Sequence, residues 1–411
     1  MAEKGPDKAI LIFSQVYPPD PASVGQHMAD VAEELASRGR RVRVITANRG
    51  YDDASKKYAA REMRNGVEVR RVPLSSFGKK SIPLRAMAMM FYMLQCLWAG
   101  LFTRRVGGIV VSTSPPMCGF AAGFVNMVRR TPITYWVMDL NPDQMIELGM
   151  LKSTSITARM LNALQKFVLK RSAAVVALDR FMAERLNKKR DVSAKMTVMP
   201  PWPHEGVLDV VPHEENWFRE KQGLNGSFVF MYSGNHTYSN PVTTILEAAQ
   251  RMEDDEGIVF LFIGGGLHKK DVDKVIAEKK PKNIRSLPYQ PLEDLRYSLS
   301  AADCHIVTVG DPVVGVVHPC KIYGAMAVAR PILVCGPAPS HASDIIEKVD
   351  AGWHIRHGDV EGAIRVCREI AATGRERLNE MGRTGQGYIR DTVGKEALCG
   401  RFCDIVESTL K

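Results

Sequence analysis

The chain lacks the cysteine and signal patterns that mark several large classes of protein. Its eight cysteines are scattered and form no C-x-x-C pair, which argues against a zinc ribbon, a redox dithiol or a secreted disulfide framework. Met1–Asp7 is polar and carries no apolar signal core, so we expect a reducing, cytoplasmic location. No repeat or low-complexity tract interrupts the 411 residues, of which an ordinary 24% are charged. The chain is therefore neither disordered nor fibrous, and its length predicts two domains.

Acidic residues are scarce in the first half of the chain. Residues 1–200 hold 31 Lys and Arg against 16 Asp and Glu, a net charge of +15, whereas residues 201–411 hold 24 against 29. A basic half joined to an acidic half indicates that one domain faces an anionic partner, either a nucleic acid or an anionic membrane surface. Solvated basic clusters without a partner are the alternative.

One hydrophobic run, Ala86–Phe102, is too short to span a bilayer easily, because about 20 apolar residues are needed. Basic residues flank it, namely Lys79, Lys80, Arg85, Arg104 and Arg105. This arrangement favours a helix that dips into the membrane interface between basic anchors. A buried core helix of the first domain is the alternative.

Short apolar β-branched runs alternate with helical patterns along both halves, which predicts two parallel sheets covered by helices. The predicted strands are Ala9–Ser14, Arg41–Thr46, Gly108–Ser112, Pro132–Met138, Ala173–Leu178, Phe228–Ser233, Ile258–Ile263, Ile284–Leu287, Cys304–Val309 and Pro331–Val334. The predicted helices are Gln26–Arg38, Ile156–Lys170, Pro241–Met252, Leu292–Ala301, Cys320–Ala329 and Ala342–Val349.

Four prolines between residues 197 and 212 place the domain linker there. We expect an N-terminal domain over residues 1–205, a C-terminal domain over 206–390, and a final helix over 391–411 that packs toward the first domain. In open α/β sheets ligands bind beyond the carboxyl ends of the strands, and we expect those ends to face each other across a cleft.

Loops after the predicted strands contain the small and polar residues that phosphate binding requires. In Gln15–Gln26, Gly25 stands just before a helix and is expected to offer N–H groups to an anion, and in Ser233–Pro241 the pair Asn240–Pro241 predicts an N-cap followed by a proline. Gly264–Gly266 allows a close approach of backbone to ligand. It fails as a dinucleotide fingerprint because Lys269 occupies the last glycine position.

Lys321 is the most informative lysine of the chain. It follows Pro319 at the start of a predicted helix, where the helix dipole disfavours a cation unless an anion is bound nearby. An ordinary solvated surface lysine is the alternative.

Several ordered segments resemble a known family. They are SGN at 233–235, ILEAA at 245–249, FLFIGGG at 260–266, LPYQP at 287–291, AADCHIV at 301–307 and HPCKIYGAMA at 318–327, preceded by YPPDPASVG at 17–25, DLNPD at 139–143 and AVVALDRFMAERL at 174–186. In this order they are similar to the retaining glycosyltransferases of the large bacterial family four, in its O-antigen and colanic-acid branch.

The resemblance implies a GT-B fold of two Rossmann-like, doubly wound domains, with the acceptor bound by the first and a nucleotide-diphospho-sugar by the second. It implies that backbone near Tyr289 touches the nucleobase and that Lys321 and the SGN turn hold the diphosphate. The full set of donor residues it implies is Gly234, Asn235, Gly265, Tyr289, Gly315, Val316, Val317, Pro319, Lys321 and Tyr323. The acceptor residues are Gly25 and Gln26, and the catalytic residues are Asp139 and Lys321.

The sequence departs from the wider family at two places. The usual E-x7-E pattern is missing, since Val316 and Gly324 stand at the two glutamate positions, and the ribose contact is therefore unassigned. The family's Arg and Lys on the SGN-type turn are replaced by Asn235 and Asn240. We interpret Lys321 as a replacement for part of that missing positive charge.

The resemblance implies retention of anomeric configuration, with the leaving phosphate taking the acceptor proton and Asp139 orienting the acceptor or the sugar. A turn or N-cap role for Asp139 before Asn141–Pro142 is the alternative. No D-x-D motif occurs in DLNPD, so we expect no essential metal and no cofactor, the nucleotide-sugar being a co-substrate.

A polyprenyl-diphosphate-linked saccharide in a membrane matches both the basic half and the hydrophobic run, so we expect a UDP-sugar donor, a lipid-linked acceptor, peripheral membrane attachment and no nucleic acid. A sugar-nucleotide 2-epimerase of the same fold is an alternative. A non-enzymatic membrane- or nucleic-acid-binding module is another, although aromatic residues do not interleave the basic clusters.

Overall fold

The structure is a computed structural model that describes residues 8–20, 22–50, 53, 55–76, 82–115, 118–203 and 209–410. It divides into two compact units, the first formed by Met1–His204 with Lys395–Lys411 and the second by Glu205–Gly394. The predictions for Met1–Asp7, for Lys79 and Lys80, and for a boundary at residue 205 lie outside the described residues.

The first unit carries eight strands among its described residues. Its elements are β1 (Ala9–Phe13), α1 (Ser23–Ser37), β2 (Val42–Ala47), β3 (Arg61–Arg64), β4 (Val67–Val72), α2 (Ile82–Phe102), β5 (Val106–Ser112), α3 (Cys118–Arg129), β6 (Ile133–Val137), α4 (Asp143–Glu147), α5 (Ile156–Arg171), β7 (Ala174–Ala177), α6 (Arg180–Lys189) and β8 (Met196–Val198).

Strand order in the first sheet is β3-β4-β2-β1-β5-β6-β7-β8, so the chain reverses its direction of winding between β1 and β5. All pairs are parallel except β3 with β4. Asn65 and Gly66, both with positive φ, make the tight turn of this unpredicted hairpin, as an Asn-Gly pair does in type I′ turns. The apolar strand β1 is fully buried, as expected of a central strand with helices on both faces.

Helix α2 contains the hydrophobic run Ala86–Phe102, and the interpretation as a core helix holds for one side of it, whereas contact with a membrane stays a prediction. One side of the helix, including Ala88, Tyr92 and Cys96, is buried in the first unit. The opposite side is exposed, with Trp98 at 66% and Phe102 at 62% of their full accessibility. No helix among the described residues has the length and apolar content needed to cross a membrane.

The last helix, α15 (Lys395–Thr409), belongs to the first unit. Its Phe402 is fully buried and lies 4.3 Å from the ring of Trp136 on β6. Ion pairs add to this contact at the edge of the helix, because Arg38 after α1 donates to Asp404 and Glu407. The described residues thus place the last helix of the chain beside the first helix.

The second unit holds six strands among its described residues. Its elements are α7 (Trp217–Lys221), β9 (Phe228–Ser233), α8 (Thr243–Arg251), β10 (Ile258–Ile263), α9 (Lys269–Lys279), β11 (Ile284–Leu287), α10 (Leu295–Ser300), β12 (Cys304–Thr308), α11 (Lys321–Ala327), β13 (Ile332–Cys335), α12 (His341–Val349), β14 (Gly352–Ile355), α13 (Val360–Ala372) and α14 (Arg375–Asp391).

The second sheet is fully parallel in the order β11-β10-β9-β12-β13-β14. Alternate residues of β9 enter separate cores on its two faces, Phe230 and Tyr232 on one and Val229 and Met231 on the other. Both units are therefore doubly wound α/β sheets, which confirms the predicted fold class. The order reverses between β9 and β12, where such folds bind their ligands.

We expect Phe402→Ala to destabilise the protein by about 3–5 kcal/mol, because it leaves a cavity against Trp136 in a packed interior. Denaturant unfolding followed by tryptophan fluorescence measures the loss. Arg401→Ala, on the exposed side of the same helix, is the matched control and should cost little. Equal midpoints for Phe402→Ala and the control would show that the last helix contributes nothing to the first unit.

Candidate functional site

Two glycine turns at the carboxyl ends of β9 and β10 pack main chain against main chain. Gly234 and Gly264 both adopt positive φ, and a Cβ at Gly264 would lie only 2.0 Å from the Gly234 carbonyl oxygen. A Cβ at Gly266 would meet the Asn235 side chain at 2.2 Å. Only glycine fits these positions, and the result is a ligand-facing edge built largely of backbone.

Lys321, at the start of α11, lies across the first of these turns. Its Nζ donates to the carbonyl oxygen of Asn235 at 2.9 Å and to the hydroxyl of Tyr232. It also lies 4.4 Å from the centre of the Tyr232 ring. A Cβ at Gly234 would be 2.5 Å from the Lys321 Cε, so the glycine makes room for the lysine stem. The predicted pairing of Lys321 with the SGN turn is thus present in the fold.

The charge of Lys321 is poorly compensated. No carboxylate forms an ion pair with it among the described residues, and its hydrogen-bond partners are a neutral hydroxyl and a carbonyl. Burial lowers the pKa of Lys321 to about 7, because removal from water disfavours the charged form. A diphosphate would supply the missing counter-charge and raise that pKa again.

His236 and Lys269 lie behind the same turns. His236 is fully buried, and the centre of its ring lies 4.6 Å from the centre of the Tyr232 ring in an edge-to-face arrangement. Neither ring nitrogen has a hydrogen bond among the described residues. Burial, with the cations of Lys269 and Lys321, lowers its pKa to about 4. Lys269 donates to the carbonyls of Phe262 and Leu287 and so ties β10 to β11. The residue that breaks the dinucleotide fingerprint is therefore a structural cation.

Tyr289, after β11, lies beside the second glycine turn. A Cβ at Gly265 would be 2.9 Å from its ring, and 58% of its surface is exposed. The ring thus presents an accessible aromatic face next to backbone, which suits a planar base. The structure brings Gly234, Asn235, Gly265, Tyr289 and Lys321 to one edge of the second sheet.

The loop before α11 differs from expectation in part. The N–H groups of Val316 and Val317 both donate to the carbonyl of Val313, so they are already engaged. Gly315, with a φ of +69°, is left as the one of the three without a backbone acceptor among the described residues. The candidate contact to a donor sugar narrows to Gly315, because a bonded N–H has no proton to offer.

Pro319 precedes a cluster of aromatic and imidazole groups around Tyr323. The Tyr323 hydroxyl lies 2.9 Å from His318 Nε2 and 3.0 Å from His341 Nε2, and Tyr323 itself is 2% exposed. The Tyr323 hydroxyl can donate its proton to one of the two histidines and accept a hydrogen bond from the other, or it can accept a hydrogen bond from both. Tyr323 is therefore a buried bridge that holds the start of α11 in place, which the sequence alone did not show.

The predicted N-cap at Asn240 is wrong. Helix α8 begins at Thr243 with Val242 before it, and Asn240 instead donates to the Thr237 hydroxyl at 2.9 Å. The amide side chain closes its own turn, as asparagine often does. The first turn of α8 therefore carries no side-chain cap at Asn240.

In the first unit, Asp139 lies just beyond β6, at the carboxyl edge of the sheet. Its N–H and that of Met138 donate to the Thr113 hydroxyl at 3.0 and 3.1 Å. Helix α4 begins at Asp143 with Pro142 before it, so Asp139 does not cap that helix. Thr113 follows β5, and it therefore fixes the backbone of the aspartate from the neighbouring strand.

Gly25 is inside the first turn of α1 rather than just before the helix. Its N–H and that of Gln26 donate to the Ala22 carbonyl at 2.9 and 3.2 Å. A Cβ at Gly25 would lie 2.9 Å from the backbone of Val16, so the glycine lets α1 approach the loop after β1. Its amide is not free for an anion, and the expected acceptor contact there stays a prediction.

Sequence reasoning missed Tyr232 and His341. Tyr232 reads as one more apolar residue of a strand, and its hydroxyl becomes informative only once Lys321 is seen beside it. His341 lies 18 residues after Tyr323 on another helix. Nothing in the local sequence pattern connects His341 with Tyr323. The N-cap signal at Ser340 does mark the start of α12, the helix that carries His341.

Comparison with known proteins finds similarity to proteins whose names refer to glycosyl transfer. Residues 23–202 match the Glycosyl transferase 4-like domain family. The chain is 27% identical to WbjE of Pseudomonas aeruginosa over 74% of its length and 76% of that protein, whose name calls it a glycosyltransferase. It is 23% identical to WcaI of Escherichia coli K12, over 82% and 86% of the two chains, whose name refers to colanic acid biosynthesis.

Solved structures agree on the fold. HepE of Anabaena, determined with UDP-glucose, superposes with a TM-score of 0.71 at 12% identity, covering 98% of this chain and all of that one. These comparisons confirm the family resemblance recognised from the ordered motifs.

We expect the Lys321 side chain to titrate near pH 7 in the ligand-free protein, about three units below a solvated lysine. Carbon-13 NMR of labelled lysine methylenes detects the transition, and the Lys321→Met spectrum assigns it. A Lys321 resonance without a transition near pH 7 would contradict the desolvation argued above.

Proposed function

We propose that this chain, a glycosyltransferase of the GT-B type, moves a sugar from a nucleotide-diphospho-sugar to a hydroxyl of a lipid-linked saccharide. A UDP-sugar is the favoured donor and a polyprenyl-diphosphate-linked saccharide the favoured acceptor. The proposal places the reaction in the synthesis of a cell-surface polysaccharide. The uncompensated Lys321 beside two glycine turns is the observation that carries it.

The donor assignment rests on the chemistry of that edge. A diphosphate brings anionic oxygens, and the edge offers a cation that lacks a counter-ion and backbone close enough for direct contact. Tyr289 offers an exposed ring for the base at the side of the same turns. The HepE structure, whose title names UDP-glucose, supports UDP as the carrier.

Bond breaking at the anomeric carbon leaves the nucleoside diphosphate with an extra negative charge. In the proposed step the acceptor oxygen bonds to that carbon, the bond to the diphosphate oxygen breaks, and the departing phosphate takes the acceptor proton. Configuration is retained because both partners use the same face of the sugar. Lys321 stabilises the departing charge more than the bound donor, which is how electrostatic catalysis lowers a barrier.

Asp139 is proposed to orient the acceptor or the sugar. Its backbone is fixed by Thr113 at the carboxyl edge of the first sheet, and its carboxylate is thus held at a defined position after β6. The proposed reaction needs no metal at the diphosphate, since Lys321 supplies the positive charge.

The exposed side of α2 supports peripheral attachment to a membrane. Leu94, Trp98 and Phe102 follow one another at helical spacing and remain solvent-accessible, and Arg104 and Arg105 follow directly with exposed side chains. An apolar stripe ending in cations is the pattern that binds an anionic membrane interface. This surface belongs to the unit proposed to take the acceptor.

Lys321→Ala is expected to weaken donor binding by about 10- to 100-fold and to lower turnover further, because a charge-assisted hydrogen bond contributes about 1.5–3 kcal/mol. Calorimetry with UDP and acceptor-dependent release of nucleotide from a panel of UDP-sugars measure the two effects. Lys270→Ala serves as the control, since that lysine is exposed on α9. Unchanged binding and turnover in Lys321→Ala would contradict the proposal, and interconversion of donor sugars without acceptor would indicate an epimerase.

A Trp98→Ala/Phe102→Ala double variant is expected to lose about tenfold or more in binding to vesicles containing anionic lipid, because two large apolar side chains no longer enter the interface. Co-sedimentation with vesicles measures the loss. Met63→Ala, exposed on β3, is the control for general surface hydrophobicity. Vesicle binding that is absent in the parent protein, or equal in the double variant, would rule out attachment through α2.

A further inference from the structure

A cavity of about 170 Å³ lies inside the first unit, next to Thr113 after β5 and Asn141 after β6. Its walls are mostly apolar side chains of α2, α3 and α5, among them Met89, Phe120 and Leu164. The cavity thus lies at the same edge of the sheet as Asp139. Nothing in the site described above uses it.

The size of the cavity limits what it can hold. An apolar cavity of about 150 Å³ accommodates one benzene molecule, a body of six carbons. A volume of about 170 Å³ therefore suits one branched five-carbon unit and is too small for a hexose. An empty space of this size also costs stability, because the lining side chains lose their packing contacts.

Gln165 adds a polar requirement. Its Oε1 accepts from Lys189 Nζ at 2.5 Å, which fixes the orientation of the amide. Its Nε2 is then a buried donor without a hydrogen bond among the described residues, on a side chain that is 5% exposed and lines the cavity. An unpaired buried donor costs about 1–3 kcal/mol, so a ligand with an acceptor oxygen next to its apolar part would relieve it.

The cavity lies behind helix α2, whose opposite side is exposed and apolar. Met89 lines it, and Trp98, nine residues further along α2, points to the opposite side of the helix because successive residues turn by about 100°. One helix therefore separates the cavity from the surface proposed to contact lipid.

We propose that this cavity binds the first isoprene unit of a prenyl diphosphate, with an oxygen of the head group accepting a hydrogen bond from Gln165 Nε2. The inference rests on the proposed function, since it names the part of the lipid-linked acceptor that the first unit recognises. Four observations agree on this ligand. The cavity has apolar walls, its volume fits about one five-carbon unit, it contains a buried donor without an acceptor, and it lies at the same sheet edge as Asp139.

The test compares two soluble probes on the full chain, farnesyl diphosphate and inorganic pyrophosphate, by calorimetry below the micelle concentration. We expect farnesyl diphosphate to bind at least about tenfold more tightly than pyrophosphate. Leu164→Phe, which fills the cavity, should remove most of that advantage. Met160→Phe adds the same ring at a residue of α5 that is 53% exposed and should leave the advantage intact.

Equal binding of the two probes by the parent protein, or an advantage that survives Leu164→Phe, would overturn the inference. Denaturant unfolding followed by tryptophan fluorescence is measured on every variant, and a cooperative transition like that of the parent protein shows that the first unit is folded. Transfer to a lipid-linked acceptor is assayed separately. An enzyme that transfers sugar to lipid but shows no prenyl advantage overturns the cavity assignment alone, whereas absence of any transfer overturns the proposed function.

Discussion

The proposed site in the second unit depends on a lysine that is drawn out of water and has no ion pair with a carboxylate among the described residues. Lys321 reaches over Gly234 to a carbonyl and a phenol hydroxyl, and these dipoles compensate a full charge only in part. Its pKa falls toward neutrality for that reason. This arrangement lies at the reversal point of a doubly wound sheet, where such folds bind their ligands, and it supports the proposal that the ligand is an anion.

The surroundings of the lysine explain why it stays in place. Tyr323 anchors the beginning of α11 between two histidines, and glycines at positive φ keep the two strand ends close. His236 stays neutral behind the turns, because burial disfavours its charged form and the cations of Lys269 and Lys321 lower its pKa further. The rigid parts of the site are therefore main chain and neutral rings, and Lys321 is the charge that responds to a ligand.

Patterns of consecutive residues predicted much of this architecture. The strands Phe228–Ser233, Ile258–Ile263 and Ile284–Leu287 have the predicted bounds, since buried parallel strands are continuous apolar runs. The hairpin β3–β4 was missed although Asn65–Gly66 is a strong turn signal, because its exposed strand β3 is rich in charged residues. Lys321 was identified from its position at a helix start, which is a local property.

Contacts between distant segments were not predictable in the same way. Asn240 was wrongly assigned as a cap because a local hydrogen bond to Thr237 competes with capping. The N–H groups of Val316 and Val317 form hydrogen bonds within their own loop. These bonds depend on a turn conformation that the amino-acid sequence does not specify. The two-sided character of α2 also depends on which neighbours cover it, since the run is apolar all round.

The central claim is that Lys321 becomes charged when a diphosphate arrives. Calorimetry of UDP binding at pH 8, in two buffers of different ionisation enthalpy, gives the number of protons taken up and tests this most directly. The lysine is mostly neutral at that pH because its pKa is about 7, so the account predicts an uptake that approaches one proton in the parent protein and is largely lost in Lys321→Met. The same uptake in both proteins would contradict it.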